Sequence, residues 1–274
     1  MTSRALCRVN RALERAARVG PVLGLDTAGP VAGVGLVADG VRAGERWGAA
    51  GSHAAALPLM AAELLRATGH QPGALGGVAV GIGPGSFTGL RVGLSYAKGL
   101  ALGAGCRLVG VPSLDAMAVA ALDQIEPGTG CLICPLIDAR REQVYAGFYR
   151  VDGDRLEKVS GALLIDVDAL AARVAPAVIF VGGTVAERAR QALASRCDGA
   201  PAAPLTAPTG AAVAALGAAA IAGGVADDPR SLEPIYPDVA RLGRPAAPAA
   251  GGRQLIWSTG TKNSYGVTPA TTNN

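Results

Sequence analysis

Residues Gly81 to Gly103 read GIGPGSFTGLRVGLSYAKGLALG: the end of an apolar run, a glycine loop, and a helix rich in small residues. The run Val78 to Ile82 is continuous and β-branched, which predicts a strand buried on both faces. Gly83-Pro84-Gly85 ends it, because Pro84 has no N–H for a ladder and the glycines admit turn conformations. Ser86 and Thr88 are both plausible helix N-caps. From Thr88 to Leu102, Leu90, Leu94, Ala97, Leu100 and Ala101 recur at helical spacing. Gly89, Gly93 and Gly99 lie inside that helix, and each interior glycine costs roughly 0.5–1 kcal/mol relative to alanine. Gly89, Gly93, Ala97 and Ala101 fall four apart, forming a ridge that another backbone can approach closely. Two readings follow: a docking face for a partner, or a helix lying tight on its own sheet.

Outward from this core, the chain has 274 residues, half of them apolar and 17% charged, a globular composition with room for two lobes. Its net charge is +4. Residues 1 to 20 hold five arginines against Glu14, and residues 251 to 274 add Arg253 and Lys262, so residues 21 to 250 carry −2. Nucleic acid is therefore not recruited by bulk charge. Five scattered cysteines suit reduced thiols in a cytosol. Cys131 and Cys134 form a CxxC within a predicted strand, where positions three apart face opposite ways and grip no common metal. Only His53 and His70 are present and no HExxH pair exists, so no metal site is expected. No run approaches the roughly 20 apolar residues of a membrane span; the longest is Ala211 to Ala222. The arginine-spaced residues 1 to 20 read as a transit-like or start-site extension outside the fold, and the Ser/Thr/Asn-rich end as an unstructured tail.

In chain order the pattern predicts strands at Val22 to Asp26, Val31 to Val37 and Val41 to Trp47, then a helix from Ser52 to Thr68. After the central strand and helix come a strand at 107 to 112 and a helix from Ser113 to Leu122. The plan then restarts: a strand at 131 to 137, Asp138, a turn, and a returning strand from Gln143 to Val151. Further on lie a strand at 178 to 181, Gly182-Gly183, a helix from Val185 to Ser195, and a last helix from Gly210 to Ile221. Two strand–carboxylate–turn–strand units, at Asp26 and Asp138, indicate a duplicated lobe.

The segment GPGSFTGLRVGLSYAKGLA, with LGLDTAG before it and IDARREQVYAGFY and EPIYPD after it, resembles the bacterial TsaB (YeaZ) family of tRNA threonylcarbamoyladenosine biosynthesis. The resemblance runs from about Val22 to Asp238. It implies an α/β chain with the duplicated two-lobe fold of the actin, heat-shock ATPase and sugar-kinase superfamily, mixed sheets flanked by helices. The expected division is an extension at 1–20, an N-terminal lobe at 21–112, a C-terminal lobe at 113–242 whose last helix can pack back on the first, and a tail at 243–274. The implied function is that of a noncatalytic cytoplasmic subunit. It pairs through N-lobe helices with a TsaD-type catalytic paralogue, is joined by a TsaE-type ATPase, and reaches tRNA through the complex. Alone, a bare docking face favours a homodimer. The partner-binding residues implied are Leu57, Met60, Ala61, Leu64, Phe87, Gly89, Arg91, Gly93, Tyr96, Ala97 and Leu100. The chain departs from the family at His53-Ala54-Ala55, where His-Ser-Glu is frequent.

No cofactor of its own is expected, ATP and Mg²⁺ being matters for the complex. Two alternatives stand beside this reading. In an ATPase or kinase, Asp26 and Asp138 would hold Mg²⁺ and Gly182-Gly183 would back adenine, although Pro30 removes a donor from the first hairpin and GPGSFTG lacks the Gly-Lys-Ser/Thr of a P-loop. In a serine peptidase Ser86 would be the nucleophile with His53 or His70 as base, but a GxSxG elbow needs glycine where Pro84 stands.

Overall fold

The computed structural model describes residues 16–48, 53–122, 131–152, 155–174, 178–195, 210–237 and 256–258. These fall into two compact units: one from residues up to 123 together with 207–236, the other from 124–206 together with 237 onward. The first unit therefore takes in the helix at 113–121, expected in the C-terminal lobe, because that helix packs on the one at 210–222.

Unit 1 is built on a five-stranded mixed sheet ordered β3-β2-β1-β4-β5. Its strands are β1 (Val22–Asp26), β2 (Gly33–Ala38), β3 (Val41–Trp47), β4 (Gly77–Gly81) and β5 (Arg107–Val111). β1 pairs antiparallel with β2 and parallel with β4, and β4 is parallel to β5. Helices α1 (His53–Ala67) and α2 (Phe87–Ala104) carry the crossovers, and α3 (Ser113–Ala121) follows β5. β1, β2 and β4 are buried along their whole length, as strands covered on both faces must be. One cover is α1 and α2, whose Leu57, Leu64, Leu94 and Ala97 join Leu23, Leu25, Val78 and Val80 in one core. The other is the helix Gly210–Ala222, apolar all round and buried from Gly210 through Ala218, as a helix enclosed on every side should be. It lies very close: a Cβ at Gly24 or Gly35 would run into its backbone at Ala214 or Ala211. Residues expected outside the fold also join this unit. Ala16–Val19 form a 3-10 turn that packs on the helix Gly210–Ala222.

Unit 2 repeats the plan. β6 (Cys131–Arg140) ends beside a carboxylate and a tight turn, returns antiparallel as β7 (Gln143–Ala146), and pairs parallel with β11 (Val178–Val181). The returning strand expected over 143–151 is split into β7 and β8 (Tyr149–Asp152). Both keep one register against β6, Leu136 opposite Ala146 and Ile133 opposite Tyr149. The break falls opposite Pro135, which has no N–H to give the ladder although its carbonyl still accepts from Gly147 N–H at 3.3 Å; next to it Phe148 N–H donates to Ser160 Oγ at 3.2 Å. Short elements β9 (Arg155–Lys158), β10 (Leu163–Asp166) and α4 (Val167–Ala171) precede β11 and went unread in the sequence. α5 (Thr184–Ala194) follows β11, and α6 is the Gly210–Ala222 helix of unit 1. The end of the chain is not wholly without structure: β12 (Ile256–Ser258) pairs antiparallel with β9. The rest of the tail, and residues 1–15, lie outside the described residues.

Candidate functional site

The glycine loop is fixed from three sides. Ile82 N–H donates to Val111 O at 2.9 Å, and Ser113 N–H donates to Gly83 O at 2.9 Å, while the Ser113 hydroxyl accepts from Gly83 N–H at 3.3 Å. Gly83 has φ +99°, a conformation that a side chain at this position would strain. Across the loop, Ser86 N–H donates to Ala28 O at 2.8 Å, tying it to the turn after β1. The helix then starts at Phe87 with Ser86 as its cap, the hydroxyl accepting from Gly89 N–H at 3.2 Å. Of the two capping candidates the structure uses Ser86.

The glycine ridge points inward. Gly89, Gly93, Ala97 and Ala101 are all buried in unit 1. A Cβ on Gly93 would collide with Thr27 Oγ1, and one on Gly89 with Thr27 O. Thr27 itself, fully buried, donates its hydroxyl to Gly89 O at 2.7 Å. The ridge thus serves the second reading of its spacing: the backbone that approaches is the chain's own first hairpin. The same correction reaches α1. Leu57, Met60, Ala61 and Leu64 are buried in the unit's core, with Tyr96 and Leu100 half-buried against it. The apolar stripe of each helix faces its sheet, which is what made it apolar. Of the residues expected to bind a partner, Phe87 and Arg91 are exposed.

The outward faces are different residues. α1 exposes Leu59, Ala62, Glu63 and Arg66, and α2 exposes Arg91, Ser95, Gly99, Leu102 and Gly103. Leu59 and Leu102 are 65% and 67% exposed. A Cβ at Gly99 or Gly103 would have nothing within 4 Å, so packing within the unit does not account for glycine there. At the start of α2, Arg91 Cζ lies 4.0 Å from the centroid of the Phe87 ring, and that ring stands 5.5 Å from Tyr236, tilted by 32°. Tyr236 arrives with Ile235, whose N–H donates to Ile82 O at 2.7 Å. This aromatic cluster escaped the sequence reading, although its second half lies in the EPIYPD segment; one long-range hydrogen bond leaves no periodic signal.

The two carboxylates occupy equivalent turn positions in the two units. Asp26, buried, accepts from Ala28 N–H at 2.7 Å and lies against Gly81 of β4, where a Cβ would be 2.5 Å from Asp26 Cγ. Asp138, exposed, accepts from Arg140 N–H at 3.0 Å. Arg140 therefore meets Asp138 through its backbone. Gly182 is explained by packing, since a Cβ would collide with Leu136 O; Gly183, φ +61°, precedes α5 with open space around it. Among the described residues no group of three His, Cys, Asp or Glu side chains could hold a metal ion, and no helix is long and apolar enough to cross a membrane. Cys134 is buried in β6, and burial pushes its thiol pKa far up.

The model of the family described as TsaD, tRNA N6-adenosine threonylcarbamoyltransferase, matches residues 48–233. The chain is 34% identical over 131 residues to the tRNA threonylcarbamoyladenosine biosynthesis protein TsaB of Escherichia coli, covering 48% of this chain and 55% of that one. It is 41% identical over 88 residues to the TsaB of Bacillus subtilis, covering 32% and 36%. It thus spans about half the length, or less, of these curated relatives. Among solved structures, YeaZ from Pseudomonas aeruginosa superposes with a TM-score of 0.64 at 25% identity, over 79% of this chain and 99% of that one.

Proposed function

We propose, from the premise that this chain belongs to the TsaD family of tRNA N6-adenosine threonylcarbamoyltransferases as a member of its TsaB (YeaZ) branch, that it serves tRNA threonylcarbamoyladenosine synthesis as a noncatalytic cytoplasmic subunit. It pairs through α1 and α2 with a TsaD-type catalytic paralogue, a TsaE-type ATPase joins the pair, and tRNA is reached through the assembly. The observation that carries the pairing is Gly99. An interior helix glycine costs up to about 1 kcal/mol, and at this position nothing in the unit is close enough to require it. A second helix approaching the bare Ser95-Gly99-Gly103 face, flanked by exposed Leu102, would give it a reason. The noncatalytic role is supported by the first hairpin, where Pro30 removes a donor that a phosphate cradle would need, and by GPGSFTG, which lacks the Gly-Lys-Ser/Thr of a P-loop.

The test mixes the chain with a purified TsaD-type paralogue, follows the complex by size exclusion with light scattering, and assays ATP hydrolysis and threonylcarbamoyl transfer on each component and on the mixture. The expected outcome is a stable complex whose activity belongs to the mixture. Gly99→Leu should fold normally and fail to pair, and wild-type pairing by that variant would remove α2's outward face from the interface. ATP turnover by this chain alone, lost in Asp26→Ala, would overturn the noncatalytic reading.

A further inference from the structure

Phe87, Arg91, Ile235 and Tyr236 make an exposed cluster from two distant parts of the chain. Phe87 is 55% exposed, Ile235 43% and Tyr236 40%. The cluster is built, not incidental: the Ile235 N–H donates to Ile82 O, closing the 235–236 segment onto the glycine loop, and a Cβ on Gly83 would lie 2.9 Å from Ile235 O. Phe87 and Arg91 are one helical turn apart, so the guanidinium carbon sits over the ring, 4.0 Å from its centroid, while the Tyr236 ring packs 5.5 Å from it. A guanidinium held this way has lost much of its rotamer freedom before any partner arrives, and its N–H edge still presents donors in a fork that matches a carboxylate.

On its own helix the charge is one-sided. Among the described residues Arg91 makes no ion pair, whereas Arg150, Arg188 and Arg190 each have a glutamate partner. α2 contains Arg91 and Lys98 and no acidic residue in eighteen. Arginine and aromatic side chains gathered on one exposed spot are the composition of interface hot spots. From these observations we infer that the Phe87–Arg91–Tyr236 cluster is a docking point for an aspartate or glutamate side chain on the partner subunit, with Phe87, Ile235 and Tyr236 forming the apolar seat around that ion pair. The inference rests on the pairing proposed above and adds a specific, charge-selective contact to it. Protein is favoured over RNA as occupant because an RNA track needs a succession of cations. Here Arg91 is the cluster's one cation, Glu233 is exposed in the same segment, and residues 21 to 250 are net acidic.

The experiment measures affinity of the full chain for the purified TsaD-type paralogue by calorimetry at two salt concentrations, and for unmodified tRNA by fluorescence anisotropy, with melting temperature and the mass of the chain alone as controls. Phe87→Ala and Arg91→Ala should each weaken pairing about tenfold and Arg91→Glu about a hundredfold, with melting temperatures unchanged. Arg91→Lys should recover part of the loss, and the salt dependence of pairing should shrink in Arg91→Ala. Phe87→Leu, which keeps the apolar volume, guards against a folding defect and should still lose the ring-dependent part. If wild type pairs and these variants pair equally well, the cluster inference fails while the proposed function stands. If wild type does not pair, both fail. Loss of tRNA affinity with pairing unchanged would make the cluster an RNA platform, and loss of a homodimer alone would make it a self-association surface; either result overturns the inference.

Discussion

Gly93→Ala and Gly99→Ala are the same substitution, six residues apart in one helix, and the structure gives them opposite signs. In both cases alanine gains intrinsic helix stability of about 1 kcal/mol over glycine. At Gly99 the new methyl meets nothing within 4 Å, so that gain stands alone. At Gly93 it collides with Thr27 Oγ1, and Thr27 Cβ and Cγ2 are 3.3 Å away. Thr27 is fully buried, and its hydroxyl bond to Gly89 O is the contact in the way. Turning the hydroxyl aside leaves a buried donor without its acceptor, about 1–3 kcal/mol, and pushes a stiff β-branched side chain off its rotamer at about 1 kcal/mol. Against the helix gain, Gly93→Ala should cost about 2 kcal/mol net, and Gly93→Leu more. At about 2–4 °C per kcal/mol for a body of this size, scanning calorimetry should place Gly93→Ala about 4–8 °C below wild type and Gly99→Ala about 2–4 °C above it. Adding Thr27→Ala should relieve Gly93→Ala, with a coupling of about 1 kcal/mol or more in the double-mutant cycle. A Gly93→Ala protein that melts at or above the wild-type temperature would refute the inward placement of the ridge.

Other outcomes follow from single contacts. Hydrogen bonds from Arg190 first, and then Gln191, hold the Glu187 carboxyl down to about 2. Because the folded value lies below the unfolded one, this contribution is complete above the usual carboxylate range near 4.5 and is lost as pH falls through about 2. Carboxyl NMR should show that low midpoint, moving up toward 4.5 in Arg190→Ala. Cys134, buried and with its thiol pKa raised, should resist alkylation in the native protein and label only on unfolding, as mass-spectrometric mapping would show. Ser86→Ala removes the cap on Gly89 N–H and should cost about 1 kcal/mol, seen as a melting temperature about 2–4 °C lower.

Much of the architecture could be read from local pattern. The buried β4 run, the glycine stop after it and the α2 periodicity are all short-range, and they placed strand, loop and helix within a residue or two. The repeat was legible for the same reason, since each unit marks its first hairpin with an aspartate that accepts from the amide two residues on. What spacing could not supply was the identity of the neighbour. A four-residue glycine ridge says that something comes close; that it is Thr27, 62 positions away, is a tertiary fact. α2 carries small residues on two faces, Gly89 and Gly93 inward and Gly99 and Gly103 outward, and periodicity alone ranks neither. The split of β7 from β8 required knowing which strand lay opposite Pro135. The aromatic cluster required knowing that Ile235 returns to Ile82.

The chain leaves unit 1 near residue 123 and comes back at 207 with α6, which covers β1, β2 and β4. During synthesis the sheet's strands emerge long before that cover exists. Until α6 is made, Gly24 and Gly35 lie on a sheet face with nothing yet to cover it. Unit 2's segment 124–206 is complete earlier, so the part of the chain made first can finish folding only after the part made second. A fragment ending near residue 122 should accordingly behave as an aggregation-prone sheet, and supplying residues 207–236 in trans is the direct way to find out whether the missing helix is what it lacks.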